Sequence, residues 1–285
     1  MNTKKTTAPK VNTNRNELVK LIKRLSDKYS TWNVFEDFLA MSAYALSNSV
    51  DWVHREKREA QYMEVVGKYD SDEITLFPKM LDYLIEEMEL NAEYPKDILG
   101  PVFHDLELHN KYKGQFFTPQ SVCNMMGEIS FGESGQIIAE KDYVTVAEPC
   151  AGSGAMILGF AQSMKKRGYN FQRQMVVTAT DVDIKCVWMS YIQLALYNIP
   201  AVVIHGNSLT VEEHSRWYTP AYILGGWVWR QSCGNLDKLY PEDEAMKQTS
   251  EPMYAAVRKA DALMNDTVHD KKILNNDSRQ LSLDL

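Results

Sequence analysis

"VAEPCAGSGAMILGF" (residues 146–160) is the most informative stretch of this 285-residue chain. It joins a short β-rich run, "DYVTVAEP", to a helical pattern over 155–167, through a turn holding a Pro, a Cys and two glycines. Gly152 and Gly154 let the backbone bend tightly and let a ligand approach with no Cβ in the way. Backbone N–H groups at the start of the next helix can receive a carboxylate or another anion. Glu148, at the strand tip, is placed to attract a cationic group. The stretch has neither GxGxxG spacing nor the Lys-Ser/Thr of a P-loop, so a phosphate fingerprint fits it poorly. An anion cradle beside a carboxylate suits a zwitterionic amino acid attached to a nucleoside. A plain Gly-rich βα turn is the competing reading.

The pattern repeats downstream. "QMVVTATDVD" (174–183) reads as a second strand, a helical pattern covers 184–197, and "AVVIHGNSL" (201–209) reads as a third strand. Strands alternating with helices imply parallel βαβ units, whose ligands sit at the carboxyl ends of the strands. Asp181, closing the second run, is where an acid can hold the two hydroxyls of a ribose. Either Asp181 or Asp183 also serves as a helix N-cap before Ile184. Upstream, in "KYKGQFFTPQSVCNMMGEI" (111–129), Thr118 as cap and Pro119 as first helical residue start a helix well. That leaves the aromatic pair of "GQFF" unexplained.

The remaining organisation is plainer. Residues 1–14 are polar and read as a disordered arm. Residues 15–110 carry helical spacing, with one stripe of Leu18, Leu21, Ile22 and Leu25 and another of Val34, Phe35, Phe38, Leu39 and Met41. Leu81, Leu84, Ile85 and Met88 make a third, and four or five helices are expected here. Residues 111–232 hold the α/β pattern. Residues 233–285 form a weaker tail with one helix expected through Tyr254, Val257, Ala260 and Leu263.

Net charge is −7, so no global positive field draws the chain to DNA or anionic membranes, and a local patch or basic partner must supply any such attraction. Cys123, Cys150, Cys186 and Cys233 are scattered, with no CxxC pair, which suits reduced thiols and no zinc site. No signal peptide or run of membrane-spanning length is seen. The expectation is a soluble cytoplasmic protein with no metal.

"GQFFTP", "EPCAGSG" and "TATDVD", in this order, resemble the adenine-N6 DNA methyltransferases, most of all the modification subunits of type I restriction systems. That family carries G-[EQ]-[FY]-[FY]-T-P, then [DE]-P-x-x-G-[ST]-G, then an acid after the second strand, behind a helical N-terminal region. The resemblance covers residues 110–210 and implies an α/β, Rossmann-like class I S-adenosylmethionine-dependent methyltransferase fold. It implies that Phe117 and Thr118 contact S-adenosylmethionine, that Glu148, Ala151, Gly152 and Gly154 cradle its methionine, and that Asp181 takes its ribose. Asn207, where the family has an Asp in G-D-[ST]-L, would lie near the adenine ring. DNA would be the substrate, with specificity from a separate domain or partner subunit.

The chain departs from the family at the catalytic [DN]-P-P-[YF] loop, which follows the fourth strand and holds a flipped adenine. The nearest stretch is Thr219-Pro220-Ala221-Tyr222 in "SRWYTPAYILGGW", which keeps one Pro and the aromatic. Thr219, Pro220 and Tyr222 are the catalytic candidates; a Pro-containing turn leading into a strand is the alternative. The residues before it, "TVEEHSRW", do not read as a strand. Trp217, Tyr218, Tyr222, Trp227 and Trp229, with Arg216 and Arg230, are either a base-stacking cluster or part of a buried strand. Three functions stay open: a DNA adenine methyltransferase, a methyltransferase-fold subunit or regulator without turnover, and an RNA or protein methyltransferase.

Overall fold

The computed structural model describes residues 13–106 and 117–232. Residues 1–12 of the polar arm, Gly114-Gln115-Phe116, Cys233 and the helix expected through Tyr254 lie outside the described residues, whereas Thr13 and Asn14, expected in the arm, open the first helix. Six helices come first: α1 (Asn14–Leu25), α2 (Thr31–Asn48), α3 (Arg55–Val66), α4 (Ser71–Ile74), α5 (Leu76–Glu89) and α6 (Leu99–Asp105). Their starts follow from capping. Thr13 accepts from the Asn16 N–H, Ser30 from the Asn33 N–H, and Asp70 with Glu73 forms a reciprocal capping box. The expected stripes are the buried faces of α1 and α2, since Leu18, Ile22, Val34, Phe38 and Leu39 are all within the core. On α5 the buried face runs through Leu76, Phe77, Met80, Leu84 and Met88, whereas Leu81 and Ile85 lie at its margin.

The α/β part follows as α7 (Gln120–Phe131), α8 (Ser134–Lys141), β1 (Val144–Glu148), α9 (Ala155–Lys166), α10 (Phe171–Gln174), β2 (Met175–Asp181), α11 (Ile184–Leu196), β3 (Ala201–Asn207), β4 (Glu212–Tyr218), α12 (Pro220–Leu224) and α13 (Trp227–Ser232). The four strands form one sheet in the order β1-β2-β3-β4. β1, β2 and β3 are parallel, with Glu148 beside Ala179 and Asp181 beside His205, so their carboxyl ends share one edge. This is an α/β, Rossmann-like arrangement behind a helical N-terminal region. β4 runs antiparallel to β3.

β4 corrects the expectation for "TVEEHSRW". The stretch is a strand, but its first residues Glu212, Glu213 and His214 lie in solvent while Trp217 and Tyr218 are buried. An edge strand half in water loses the apolar signal of a buried one. The apolar "YILGGWVW" after it is helical, over α12 and α13. A second compact unit begins at Val228 and contributes to the described residues α13 without its first residue. Among the described residues no helix is long and apolar enough to cross a membrane.

The first helices are tied to the sheet by a buried ion pair. Arg58, 4% exposed, donates to Asp51 at 2.6 Å and to the Arg216 carbonyl at 2.6 Å, and its guanidinium lies 4.1 Å from the centre of the Trp217 ring. Burial pushes the Asp51 carboxyl up, but a hydrogen bond from His54 and the charge of Arg58 outweigh it and hold the group below its ordinary value.

Candidate functional site

At the end of β1 the chain turns through Pro149-Cys150-Ala151-Gly152-Ser153 into α9. Gly152 and Gly154 have φ of +55° and +91°, the left-handed region that residues with a Cβ resist. Space explains Gly152 as well. A Cβ on Gly152 would meet the Phe117 ring at 3.2 Å, whereas one on Gly154 would only touch Ser190 at 3.4 Å, so Gly154 answers to its φ alone. α9 therefore starts without a side-chain cap, and its first-turn amides are left for an acceptor at the sheet's carboxyl edge.

The loops at that edge are bound to one another. The Ala151 N–H donates to the Thr180 carbonyl at 2.9 Å. The Gly152 N–H donates to Asp181 Oδ2 at 2.8 Å, and Asp181 Oδ1 accepts from the Asp183 N–H at 2.9 Å. The Ser208 hydroxyl, just beyond β3, donates to the Pro149 carbonyl. Glu148 accepts from the Cys150 N–H at 3.0 Å. The structure thus brings Phe117, Glu148, Ala151, Gly152, Gly154 and Asp181 to one edge of the sheet. Burial pushes the Asp181 carboxyl above its ordinary value, against the pull of the Asp183 and Gly152 amides.

Three details bear on the expectations. Thr118 does not cap α7: it is exposed, and the cap position falls on Pro119, whose carbonyl accepts from the Val122 and Cys123 amides. Of the two acids, Asp183 is the cap of α11, accepting from the Lys185 N–H at 3.0 Å. Asn207 is at the carboxyl end of β3, but its side-chain oxygen is turned onto its own loop, accepting from the Leu209 N–H at 2.9 Å.

The catalytic candidates stand elsewhere. Because β4 runs back along β3, Thr219-Pro220-Ala221-Tyr222 lies at the amino edge of the parallel strands, opposite the glycine turn. Thr219 Oγ1 accepts from the Ala201 N–H at 2.9 Å and donates to the Ile199 carbonyl at 2.8 Å. It also caps α12, with Pro220 at the first helical position. Tyr222 is 6% exposed, its ring 5.6 Å from that of Tyr218. In this arrangement the hydroxyl holds a strand end and the ring packs in the core. The wider aromatic cluster follows suit: Trp217 and Trp227 are buried and Arg216 is paired with Glu213, leaving Trp229 as its exposed member.

One group was missed in the sequence. Asp97, Ser153 and Gln193 are 7%, 1% and 0% exposed and hydrogen-bonded to each other behind the glycine turn. The available signal was an acid inside the apolar run "YPKDILGPVF" and a lone amide inside "WMSYIQLALY". Among the described residues no group of three His, Cys, Asp or Glu side chains is arranged to hold a metal.

No curated protein matches the chain. Among solved structures, a chain assigned as a class I S-adenosylmethionine-dependent methyltransferase from Listeria monocytogenes is 13% identical, over 69% of this chain and 54% of its own, with a TM-score of 0.40. The type IIG restriction endonuclease BpuSI is 16% identical, over 66% of this chain and 23% of its own, with a TM-score of 0.33. The chain therefore spans about half the length of the first and about a quarter of the second. Residues 97–260 match the family model described as N-6 DNA methylase. That match takes in more than half of the 285 residues, from the buried Asp97 past β4, and the chain belongs to the N-6 DNA methylase family.

Proposed function

We propose that the chain binds S-adenosylmethionine at the carboxyl edge of β1, β2 and β3, and that it serves adenine-N6 methylation of DNA in a restriction-modification system in the cytoplasm. The observation that carries this reading is the 2.8 Å hydrogen bond from the Gly152 N–H to Asp181, which joins the glycine turn to the acid at the end of β2. Residues 111–232 would form the cofactor-binding domain, behind a helical region over 15–110. The first-turn amides of α9, reached past Ala151, Gly152 and Gly154, would accept the methionine carboxylate, and Glu148 its ammonium group. Asp181 would receive the ribose hydroxyls, Asn207 would meet the adenine after releasing its own loop, and Phe117 and Thr118 would border the cofactor. S-adenosylmethionine, when bound, supplies an activated methyl group. The residues of this chain bind and orient it.

The position of Thr219 and Tyr222 favours a second reading, in which the chain is a cofactor-binding subunit or regulator. Transfer and sequence recognition would then require a partner subunit. Incubation with radiolabelled S-adenosylmethionine and separate DNA, RNA and protein substrates tests both. Label in adenine of DNA is the expected result. Label that enters DNA only after a partner subunit is added selects the second reading, and label entering RNA or protein alone overturns both.

A further inference from the structure

The glycine turn is held from behind by a buried polar group. Asp97 lies in the turn before α6, and each oxygen of its carboxylate has an assigned partner. Oδ1 accepts from the Gly100 N–H at 2.9 Å and from Gln193 Nε2 at 2.9 Å, while Oδ2 accepts from Ser153 Oγ at 2.6 Å. Gln193 closes the ring. Its Nε2 also donates to the Ser153 carbonyl at 2.7 Å, and its Oε1 accepts from the Ile98 N–H at 2.7 Å. The Asp97 N–H donates to Gln120 Oε1 at 2.8 Å, which fixes the first residue of α7, next to Phe117 and Thr118. The packing admits nothing else: a Cβ on Gly100 would fall 3.0 Å from Asp97 Cγ and 3.1 Å from Ser153 Oγ.

Such a group is costly to build unless it sets a geometry. A carboxylate taken out of water loses its hydration, and three donated hydrogen bonds must replace it. Burial pushes the Asp97 carboxyl above its ordinary value, against the donors from Ser153, Gly100 and Gln193. Ser153 lies between Gly152, whose amide reaches Asp181, and Gly154, where α9 begins. Fixing Ser153 therefore fixes the amides on either side of it.

We propose that Asp97 is a positioning residue for the cofactor turn: through Ser153 and Gln193 its side chain holds residues 151–154 in the shape that presents their amides at the carboxyl edge. The inference rests on the cofactor reading given above for that turn. It acts through hydrogen-bond geometry, so Asn at position 97 should substitute. Its carbonyl would keep the Gly100 and Gln193 donors, and its amide would donate to Ser153 Oγ, which can accept.

The test is hydrogen–deuterium exchange of the unliganded full chain, with calorimetric titration of S-adenosylmethionine, on wild type and on Asp97→Asn, Asp97→Ala, Ser153→Ala and Gly100→Ala. Asp97→Ala, Ser153→Ala and Gly100→Ala should exchange faster in peptides covering 150–156, with α1 and β4 unchanged, and bind the cofactor roughly tenfold more weakly, as for one lost hydrogen bond to a charged group. Asp97→Asn should match wild type in both readouts, a rescue that a group serving only overall stability would not show. Equal exchange at 150–156 in wild type and Ser153→Ala overturns the proposal, as does Asp97→Asn behaving like Asp97→Ala. If Asp97→Ala does not fold, the Ser153 and Gly100 variants decide. If wild type takes up no cofactor, the cofactor reading fails, and the exchange pattern still decides whether Asp97 holds the turn.

Discussion

Gly127→Ala is expected to lower stability, although Ala is the better helix former. Gly127 on α7 faces Gly159 on α9 where the two helices cross. A Cβ on Gly127 would sit 2.7 Å from the Phe160 amide nitrogen, and one on Gly159 would sit 2.6 Å from the Cys123 carbonyl carbon. Both obstacles are backbone, so no side chain can swing aside and the helices must separate. That separation also loosens the Phe131–Phe160 ring contact, whose centroids are 5.9 Å apart. Overpacking of this kind costs about 3 kcal/mol at the upper end of the usual range. Replacing a glycine in a helix interior returns about 1 kcal/mol. The net loss is about 2 kcal/mol, or a melting temperature lower by roughly 4–8 °C for a chain of this size. Thermal denaturation followed by circular dichroism, with a guanidinium titration alongside, measures it. The Gly127→Ala/Gly159→Ala double variant should lose less than the sum of the two, because one separation relieves both clashes. An unchanged or higher melting temperature for Gly127→Ala would refute the close-crossing argument.

Other expectations follow from the same geometry. Asp181→Ala removes the acceptor of two amides and should weaken S-adenosylmethionine binding by about 1–3 kcal/mol; calorimetry giving the wild-type affinity would remove Asp181 from the site. Tyr222→Ala should cost about 3 kcal/mol of stability as a core truncation, while the folded variant keeps its cofactor affinity; intact stability with lost methyl transfer would restore Tyr222 as catalytic. Arg58→Leu takes the cation from the buried Asp51, which keeps its His54 hydrogen bonds, and should cost about 3 kcal/mol in denaturant unfolding, the lower end for a broken buried pair; a smaller loss than for an exposed arginine such as Arg55 would count against the buried pair. Because the Asp51 carboxyl is held below the ordinary aspartate value of 3.8, its contribution is present above that pH and is lost as pH falls through the lower folded value. Acid unfolding of Asp51→Asn should therefore be less steep than that of wild type below pH 3.8.

What could be read from the sequence was what repeats locally. The βα alternation, the two glycines and the acid after β2 each follow from backbone rules acting within a few residues, and the structure joins them at one edge. The strand β4 escaped because Glu212, Glu213 and His214 are solvated, and edge position is a property of the sheet rather than of the segment. The role of Thr219 escaped for a related reason. A Thr-Pro before an apolar run reads alike at either end of a strand, and only the antiparallel return of β4 puts it at the amino edge. Asp97 and Gln193 are separated by 96 residues, and a hydrogen bond over that distance leaves no periodic trace. The odd polar residue in an apolar run is the one local sign of it.

Arg58 has a consequence for how the polypeptide is made. Two of its partners, the Arg216 carbonyl and the Trp217 indole, lie 158 residues or more downstream. At roughly 5–20 residues per second, a ribosome takes on the order of 8–30 s to bring them out after Arg58 has emerged. Throughout that interval the Arg58 guanidinium has Asp51 and Ser47 beside it but lacks the carbonyl and the indole that β4 supplies. Completion of this contact awaits β4, and chaperones have that long in which to engage the helices.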